Sequence, residues 1–303
     1  MTTYSQITAL QEPDETFSIW PAGEAPGADT SPAQFLLEDR GQQNMLPDRA
    51  ASGIKAPQIS VWRPQTTNGV ALLVVPGGGY NRVVIDKEGT DLVAPFTAQG
   101  YTLFVMTYRM PDGGHREASL APLADIQRAI RVIRSRLQRC GENTQRVGVL
   151  GFSAGGHLAG SLAMHFDYPA YPAMDEADHL SARPDFAALM YPVITMDSAL
   201  THAGSARALL GSHPENNWQQ HHSLELQARD DMPPVFLAHA ADDPSVPVAN
   251  SLLMFNALLS HNIPAEMHIF QQGLHGFGIR GCTDLPAKSW PVLLMNWIEA
   301  QQQ

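Results

Sequence analysis

The chain has 303 residues, of which 44% are hydrophobic and 16% are charged, so a sizeable core is expected and long disordered tails are not. Its formal net charge of −11 disfavours nucleic-acid binding, because phosphate recognition needs a cationic surface. Two cysteines, Cys140 and Cys282, are too few for a disulfide framework. No apolar run reaches the roughly 18 residues that are needed to cross a bilayer.

The N-terminal region bears on the location of the protein and on where its domain begins. It lacks the basic and apolar regions of a secretory signal, which predicts a soluble, cytoplasmic protein with no membrane partner. Residues 1–55 are rich in Pro, Gly, Asp and Gln, and we interpret them as an irregular N-terminal arm packed on the domain. Residues 56–303 are predicted to form a single catalytic domain.

From residue 56 onwards, short β-branched runs alternate with helical patterns. This alternation is typical of an α/β fold, with a mostly parallel central sheet and helices on both faces. Strands are predicted over residues 58–64, 70–76, 101–108, 146–152, 186–193, 235–240 and 265–271. Helices are predicted over residues 87–99, 122–139, 248–261 and 287–301, with a further helix opening at Ser153.

Two insertions, residues 165–185 and 197–232, fit the alternation poorly and are irregular or weakly helical. Long insertions between sheet elements are often lids or binding loops. In the second insertion His202, Ser205 and Arg207 are candidate substrate contacts, although positions on a helix surface are the simpler interpretation. Four of the five arginines in the helix over residues 122–139 are predicted to form a solvated face or to pair with nearby acids: Arg128, Arg131, Arg134 and Arg136.

The segment Gly151-Phe152-Ser153-Ala154-Gly155 matches the motif G-x-S-x-G. In this motif the serine occupies a tight turn between a strand and a helix, and the glycines keep side chains out of the crowded backbone. An apolar strand pattern precedes Ser153 and a helical run follows it, as the motif requires. Ser153 is therefore the candidate nucleophile, and the alternative is a serine that only caps the helix.

Three consecutive glycines, residues 77–79, follow the strand over residues 70–76. A tetrahedral intermediate needs backbone N–H donors without side-chain obstruction, and three glycines permit such an approach. In a fold with this serine turn, one donor follows the nucleophile, here Ala154, and the other follows an earlier strand. Gly78 and Gly79 are the candidates for that second donor, and a flexible turn is the alternative.

Chain order selects the remaining members of a triad. The acid follows the serine and the histidine comes last, which leaves His261, His268 and His275. Of these, His275 lies in a glycine-flanked loop just after a strand, where it can reach the serine. Asp243, before Pro244 in the segment over residues 239–247, is favoured as the acid over its neighbour, Asp242.

No metal or other cofactor is expected. Neither a zinc spacing of Cys and His nor an H-E-x-x-H motif occurs. His221 and His222 are adjacent, so their rings point apart on any regular element. His157 is interpreted as a packed histidine behind the serine.

Six segments together carry a family resemblance: PGGGY (76–80), DKEG (86–89), YR (108–109), GFSAGGHLAG (151–160), HAADDPSVP (239–247) and GLHGFG (273–278). They resemble the acetyl-xylan-esterase-like branch of the α/β hydrolases, whose members are often labelled "esterase/lipase" or, misleadingly, "endo-xylanase". The resemblance runs from about residue 59 to the C-terminus. Pro76 departs from the related hormone-sensitive-lipase-like branch, which has His before its glycines.

The resemblance implies an α/β-hydrolase fold and a carboxylesterase that removes short acyl groups, often acetyl, from sugars. Matched by position, the triad would be Ser153, Asp243 and His275. The oxyanion hole would comprise Gly78, Gly79 and Ala154. Tyr80 and Glu88 are expected to form part of the substrate pocket, whose ligand would be a small-molecule or oligosaccharide ester.

Two other function classes stay open at this point. An amide or peptide hydrolase would use the same triad. A non-catalytic binding protein on this fold is also compatible with the pattern, although such proteins usually lose a member of the triad.

Overall fold

The computed structural model describes residues 11–21, 25–41, 46–116, 118–141 and 144–301. Its strands are β1 (Glu15–Ser18), β2 (Leu36–Asp39), β3 (Arg49–Ser52), β4 (Gln58–Trp62), β5 (Val70–Val75), β6 (Val83–Val84), β7 (Thr102–Met106), β8 (Arg146–Phe152), β9 (Ala187–Met190), β10 (Val235–Ala240) and β11 (Ala265–Phe270). Its α-helices are α1 (Val93–Thr97), α2 (Ala121–Cys140), α3 (Ala154–Met164), α4 (Ala203–Leu210), α5 (Asn216–His222), α6 (Ala249–Ser260) and α7 (Trp290–Ala300). None of the helices in these ranges is long and apolar enough to cross a membrane.

Eight strands form the central sheet, in the order β1-β4-β7-β5-β8-β9-β10-β11. From β7 to β11 all neighbours are parallel, whereas β1 and β4 run antiparallel at one edge. The central strands are apolar throughout because helices cover both of their faces. The carboxyl ends of β5, β8, β10 and β11 consequently meet at one edge, where open α/β sheets bind ligands.

Two apolar layers fill the space between the sheet and its helices. On one face, α2, α3 and α6 pack through residues such as Ile126, Leu158 and Met254. On the other face, α1 and α7 pack through Phe96 and Trp290. The predicted α/β-hydrolase architecture, with a mostly parallel sheet covered on both sides, is thereby confirmed.

The seven predicted strands are all present as β4, β5 and β7 to β11, some with shorter ends. The helix predicted over residues 87–99 is shorter than expected. It consists of a 3₁₀ turn at Thr90–Leu92 followed by α1. The preceding residues form a turn instead, with Gly89 N donating to Asp86 O and Thr90 N to Ile85 O.

The arm over residues 1–55 contains three strands that its composition does not indicate. β1 pairs with β4 at the edge of the central sheet, and β2 and β3 form a small separate sheet with β6. The expectation of irregular structure is therefore corrected at these three places, because each strand is stabilised by a partner distant in sequence. Residues 1–10, 22–24 and 42–45 of the predicted arm lie outside the described residues.

A buried ion pair anchors the arm to the domain. The Trp20 side chain is 2% exposed, and its Nε1 donates a hydrogen bond of 2.8 Å to Asp125 Oδ1. The same carboxylate receives the Arg109 guanidinium, with Nη2 to Oδ1 at 2.8 Å and both side chains buried. A buried carboxylate needs such partners to offset its desolvation.

The arginines of α2 pair mainly with acids, as one of the two sequence interpretations expected. Their partners lie in the first insertion and in β1: Arg128 with Asp175 and Asp178, Arg134 with Asp185, and Arg136 with Glu15. Arg131 instead donates to Leu180 O and to the Tyr171 hydroxyl. These contacts hold the insertion over residues 165–185 against the helix. The second insertion contains α4 and α5.

Candidate active site

Ser153 occupies the turn between β8 and α3, as predicted. Its backbone is strained, with φ of 54° and ψ of −119°, a region that few residues other than glycine adopt. A Cβ on Gly151 would lie 2.3 Å from Gly155 O, and one on Gly155 would lie 2.2 Å from Val75 O. Both glycines of the motif are therefore sterically required, and they permit the turn that presents Ser153 at the edge of the sheet.

Three side chains from separate loops form a continuous hydrogen-bonded series. Ser153 Oγ lies 2.8 Å from His275 Nε2, and His275 Nδ1 lies 2.6 Å from Asp243 Oδ2. Because the carboxylate accepts from Nδ1, the proton of a neutral His275 ring resides there, and Nε2 is free to accept the Ser153 proton. The structure thus brings together the three residues that the sequence nominated as a triad.

Asp243 is enclosed by donors. Ser245 N and Val246 N donate to its Oδ1 at 2.8 and 2.9 Å, and His239 Nε2 lies 3.2 Å from its Oδ2. Burial alone would raise the pKa of Asp243, but hydrogen bonds from His239 and His275 outweigh it and hold this pKa below the usual range. Asp243 therefore stays ionised and can stabilise a cationic His275.

His239 was not among the candidates from sequence because it precedes the acid candidates in chain order. Its Nε2 also lies 3.0 Å from Val246 O, and its Nδ1 lies 2.8 Å from Ser251 Oγ. Since a carbonyl oxygen only accepts, Nε2 carries the proton and Nδ1 accepts from the Ser251 hydroxyl. The ring thus donates to Asp243 Oδ2, the same oxygen that accepts from His275 Nδ1.

Asp242, the less favoured acid, has a different position. Its Oδ1 accepts hydrogen bonds of 2.9 Å from both Gly273 N and Leu274 N. These are the two residues before His275, and Leu274 has a φ of 56°. Asp242 therefore braces the loop that carries His275 rather than contacting the ring.

The glycine loop after β5 lies against the serine turn. A Cβ on Gly77 would be 2.6 Å from Phe152 O and 2.9 Å from Ser153 Cβ. Gly77 N donates to Glu88 Oε2 at 2.8 Å. In the part of the chain that the structure describes, by contrast, the N–H groups of Gly78, Gly79 and Ala154 donate no hydrogen bond. Among the described residues these three predicted donors are therefore not engaged elsewhere, whereas Gly77 N is.

Glu88 was predicted to form part of the pocket wall, but its carboxylate is held by hydrogen bonds to other parts of the protein. It lines the cleft, but it is 5% exposed. Its Oε2 accepts from Gly77 N, and its Oε1 accepts from the Tyr191 hydroxyl at 3.0 Å. Burial raises the pKa of Glu88 against the opposing effects of His275, Gly77 and Tyr191. With both oxygens occupied, Glu88 connects the glycine loop to Tyr191.

Tyr191 extends this network to His275. The two rings pack edge to face with centroids 5.2 Å apart, and Gly278 N donates to the Tyr191 hydroxyl at 3.2 Å. Tyr191 has a φ of 38° and is fully buried. Its only sequence signal is its position at the carboxyl end of a predicted strand, next to a proline, and sequence reasoning missed it.

The prediction for Tyr80 is corrected. Its side chain is 1% exposed and is not among the residues that line the cleft at Ser153. Its hydroxyl lies 2.8 Å from His157 Nδ1, and His157 Nε2 lies 2.8 Å from His222 O. The aromatic ring turns inward because it buries apolar surface while its hydroxyl finds a partner in the core. The packed position predicted for His157 is correct.

The cleft at Ser153 has a volume of about 420 Å³. It is lined by Arg40, Gly78, Gly79, Asn81, Arg82, Val84, Lys87, Glu88, Ser153, His202, Ser245, His275 and Gly276. Of the candidate contacts in the second insertion, His202 lies in the cleft, with Nδ1 2.8 Å from Ser205 Oγ. Ser205 is buried behind it, and Arg207 lines a separate depression.

A family model described as BD-FAE matches residues 59–258 of the chain. The chain is 39% identical over 208 residues to endo-1,4-beta-xylanase B of Butyrivibrio fibrisolvens, covering 69% of this chain and 32% of that protein. It is 30% identical over 225 residues to an acetylxylan esterase of Xylanibacter ruminicola, covering 73% of this chain and 44% of that protein. The chain belongs to the BD-FAE family.

A crystal structure supports the same relationship over the whole fold. An acetyl ester-xyloside bifunctional hydrolase from Caldicellulosiruptor lactoaceticus superposes with a TM-score of 0.76 at 31% identity, covering 98% of this chain and 99% of that chain. This chain spans less than half of the length of the two curated relatives described above. The superposition gives the chain the fold of the α/β-hydrolase superfamily, as the sequence resemblance predicted.

The BD-FAE match includes Ser153 and Asp243 but ends before His275. The position of His275 in the site therefore depends on the hydrogen bonds described above. Among the described residues, no group of three or more His, Cys, Asp or Glu side chains is arranged to hold a metal ion.

Proposed function

We propose that this protein is a serine esterase that removes short acyl groups, in the first place acetyl, from hydroxyls of a carbohydrate. The observation that carries the proposal is the series Ser153 Oγ, His275 Nε2, His275 Nδ1 and Asp243 Oδ2, with separations of 2.8 and 2.6 Å. It opens on a cleft lined by Gly78 and Gly79, whose N–H groups donate no hydrogen bond among the described residues. A nucleophile, a base and an oxyanion site in this arrangement are the parts that acyl transfer needs.

In the first half of the proposed reaction, Ser153 Oγ attacks the acyl carbonyl carbon while its proton moves to His275 Nε2. The carbonyl oxygen becomes an oxyanion, which accepts hydrogen bonds from Ala154 N and from Gly78 N or Gly79 N. His275 then gives its proton to the alcohol oxygen as the ester bond breaks. The sugar hydroxyl leaves, and the acyl group stays on Ser153.

In the second half, His275 Nε2 takes a proton from water, and the resulting hydroxide attacks the acyl-enzyme carbonyl. The same N–H groups hold the oxyanion, and His275 returns the proton to Ser153 Oγ as the acid leaves. Asp243 stabilises the imidazolium in both halves while remaining ionised. Its lowered pKa, maintained by hydrogen bonds against the effect of burial, suits this role.

The carbohydrate part of the proposal is supported by relatives whose names state it, an acetylxylan esterase and an acetyl ester-xyloside hydrolase. The polar lining of the cleft is also compatible with a hydroxylated substrate. Asn81, His202 and Ser245 supply side chains that can hydrogen-bond to sugar hydroxyls. We include His202 among the substrate contacts because it lies beside Gly79 in the cleft.

The test is acetate release from a panel of acetylated oligosaccharides, with p-nitrophenyl acetate as the simple ester and aminoacyl anilides as the amide arm. We expect acetate release by the wild-type protein, a fall of about 10⁴-fold or more in the Ser153→Ala variant, and little cleavage of the anilides. Retained esterase activity in Ser153→Ala would contradict the proposal. Faster cleavage of anilides than of esters would support an amide hydrolase instead.

The cytoplasmic location predicted from sequence remains a proposal. It is supported by the two cysteines, Cys140 and Cys282, which are both free in the structure, as is common in a reducing compartment. Fractionation of source cells with an antibody against the full chain tests it. Recovery of the protein in the culture medium or in osmotic-shock fluid would contradict it.

A further inference from the structure

Positively charged side chains are concentrated at the cleft, and this bears on the substrate of the proposed esterase. The whole chain has 30 acidic and 19 basic residues. The residues that line the cleft nevertheless include three cations, Arg40, Arg82 and Lys87, and a single carboxylate, Glu88. A local excess of positive charge in an acidic protein raises the local concentration of anionic ligands.

The charged residues of the cleft differ in whether another residue pairs with them. Arg40 pairs with Asp48, with Nη2 to Oδ2 at 2.8 Å. Glu88 is occupied by Gly77 N and by the Tyr191 hydroxyl. Arg82 and Lys87, in contrast, form no ion pair within the described ranges of the chain.

These two side chains lie close to the reacting groups. Arg82 follows the oxyanion loop, where Asn81 N and Arg82 N both donate to Gly78 O at 3.2 and 3.3 Å. A Cβ on Gly78 would lie 3.0 Å from Arg82 Cγ, so the Arg82 stem packs against that loop.

Lys87 lies on the side of His275. Its Nζ is 3.8 Å from the position that a Cβ would take on Gly276, the residue after His275, and Glu88 Oε1 is 3.6 Å from the same position. The charge of Lys87 therefore also acts on the buried Glu88 carboxylate, whose pKa it lowers against the effect of burial. One cation therefore adjoins the oxyanion donors, and the other adjoins the base. Both residues line the same cleft as Ser153.

On the basis of the proposed esterase function, we propose that the natural substrate is anionic and has a carboxylate next to the ester. The best match is an acylated sugar acid of the hexuronic type, with its carboxylate between Arg82 and Lys87. Guanidinium and ammonium groups form their strongest hydrogen bonds with carboxylates. A carboxylate on the acyl group is the other source of the same chemistry.

The experiment compares substrates that differ only in this charge. The first pair is the methyl glycoside of O-acetyl-galacturonic acid and that of O-acetyl-galactose, and the second is p-nitrophenyl succinate and p-nitrophenyl butyrate. For the wild-type protein we expect kcat/KM to be about tenfold higher for the anionic member of the first pair at low salt. The preference should shrink in about 0.5 M NaCl because salt screens partly exposed charges.

Matched variants test whether these two cations cause the preference. Arg82→Gln and Lys87→Gln should each lower the ratio of kcat/KM values, anionic over neutral, by about threefold to tenfold. Arg82→Lys keeps the positive charge and should retain most of the preference for the anionic substrate. Its retained activity would show that the loop still folds when Arg82 is replaced. Arg139→Gln and Lys288→Gln, which remove exposed cations outside the cleft, should leave the ratio unchanged.

Three outcomes are decisive. A wild-type ratio near one in both pairs, with acetate release that still depends on Ser153, would overturn the anionic substrate and leave the esterase intact. Acetate release that survives in Ser153→Ala would instead refute the proposed function. A preference confined to the succinate would support the carboxylate and place it on the acyl group.

Discussion

Glu88 is the residue whose replacement tests the architecture of the site most sharply. Its carboxylate accepts from Gly77 N at 2.8 Å and from the Tyr191 hydroxyl at 3.0 Å, and all three groups are buried. Glu88→Ala leaves two buried donors without their acceptor. Each such group costs about 1–3 kcal/mol. Because removal of the carboxylate also relieves its own desolvation, we expect a net loss of about 2–4 kcal/mol in unfolding free energy.

The same change should reduce catalysis. Gly77 lies between β5 and the oxyanion donors, and Tyr191 packs on the His275 ring. The Glu88→Ala substitution leaves Gly77 and Tyr191 in place but removes the carboxylate that holds them. We expect kcat to fall by about 10- to 100-fold, with a smaller change in KM, because misplaced oxyanion donors weaken mainly the transition state. Glu88→Gln retains one carbonyl acceptor and should fall between the wild type and Glu88→Ala.

The measurements are urea unfolding followed by circular dichroism and steady-state hydrolysis of p-nitrophenyl acetate. Glu299→Ala, which removes an exposed glutamate from α7, is the matched control and should change neither quantity. A Glu88→Ala protein that loses less than about 0.5 kcal/mol, the range typical of surface changes, and keeps its kcat would refute the positioning role.

Four further substitutions test other parts of the structure. Asp243→Asn should lower kcat by about 10⁴-fold, since the imidazolium loses its counter-charge. Asp242→Ala should lower kcat by only about tenfold, because it frees the loop that carries His275 without touching the ring. Equal losses of kcat in p-nitrophenyl acetate hydrolysis would contradict this division of roles. Gly78→Ala should reduce both the stability of the fold and kcat, because the φ of Gly78 is 133° and the new Cβ would lie 2.1 Å from Arg82 O. A wild-type melting temperature and wild-type kinetics would contradict the loop geometry. Burial, with the nearby His221, lowers the pKa of His165 to about 4 from 6.5, so its contribution to stability is complete above pH 6.5 and is lost as the pH falls towards 4. His165→Phe should therefore flatten the dependence of unfolding free energy on pH in that window, and an unchanged slope in urea titrations would count against this assignment.

The sequence predicted which residues meet in the candidate site because chain order and local turns are strong constraints. The strand before Ser153, the helix after it and the glycine-flanked His275 are local patterns, and their meeting follows from parallel strands whose carboxyl ends share one edge. The structure brings Ser153, His275 and Asp243 within hydrogen-bond distance of one another.

The parts of the fold and of the site that the sequence did not predict depend on contacts between residues distant in sequence. Tyr80 was expected in the cleft but is buried against His157, and nothing local distinguishes an inward tyrosine from an outward one. Glu88 and Tyr191 form a hydrogen bond across 103 positions of sequence, which no periodicity reveals. Strand β1 likewise exists because β4 supplies its partner, so its own polar composition gave no signal.

The most direct test of the central claim is stoichiometric inactivation with a p-nitrophenyl phosphonate, read by peptide mass mapping and by acetate release from an acetylated oligosaccharide. The account predicts one adduct per chain, on Ser153, with acetate release falling in proportion to labelling and no adduct in the Ser153→Ala variant. Full labelling of Ser153 with undiminished acetate release, or inactivation by an adduct at another residue, would contradict it.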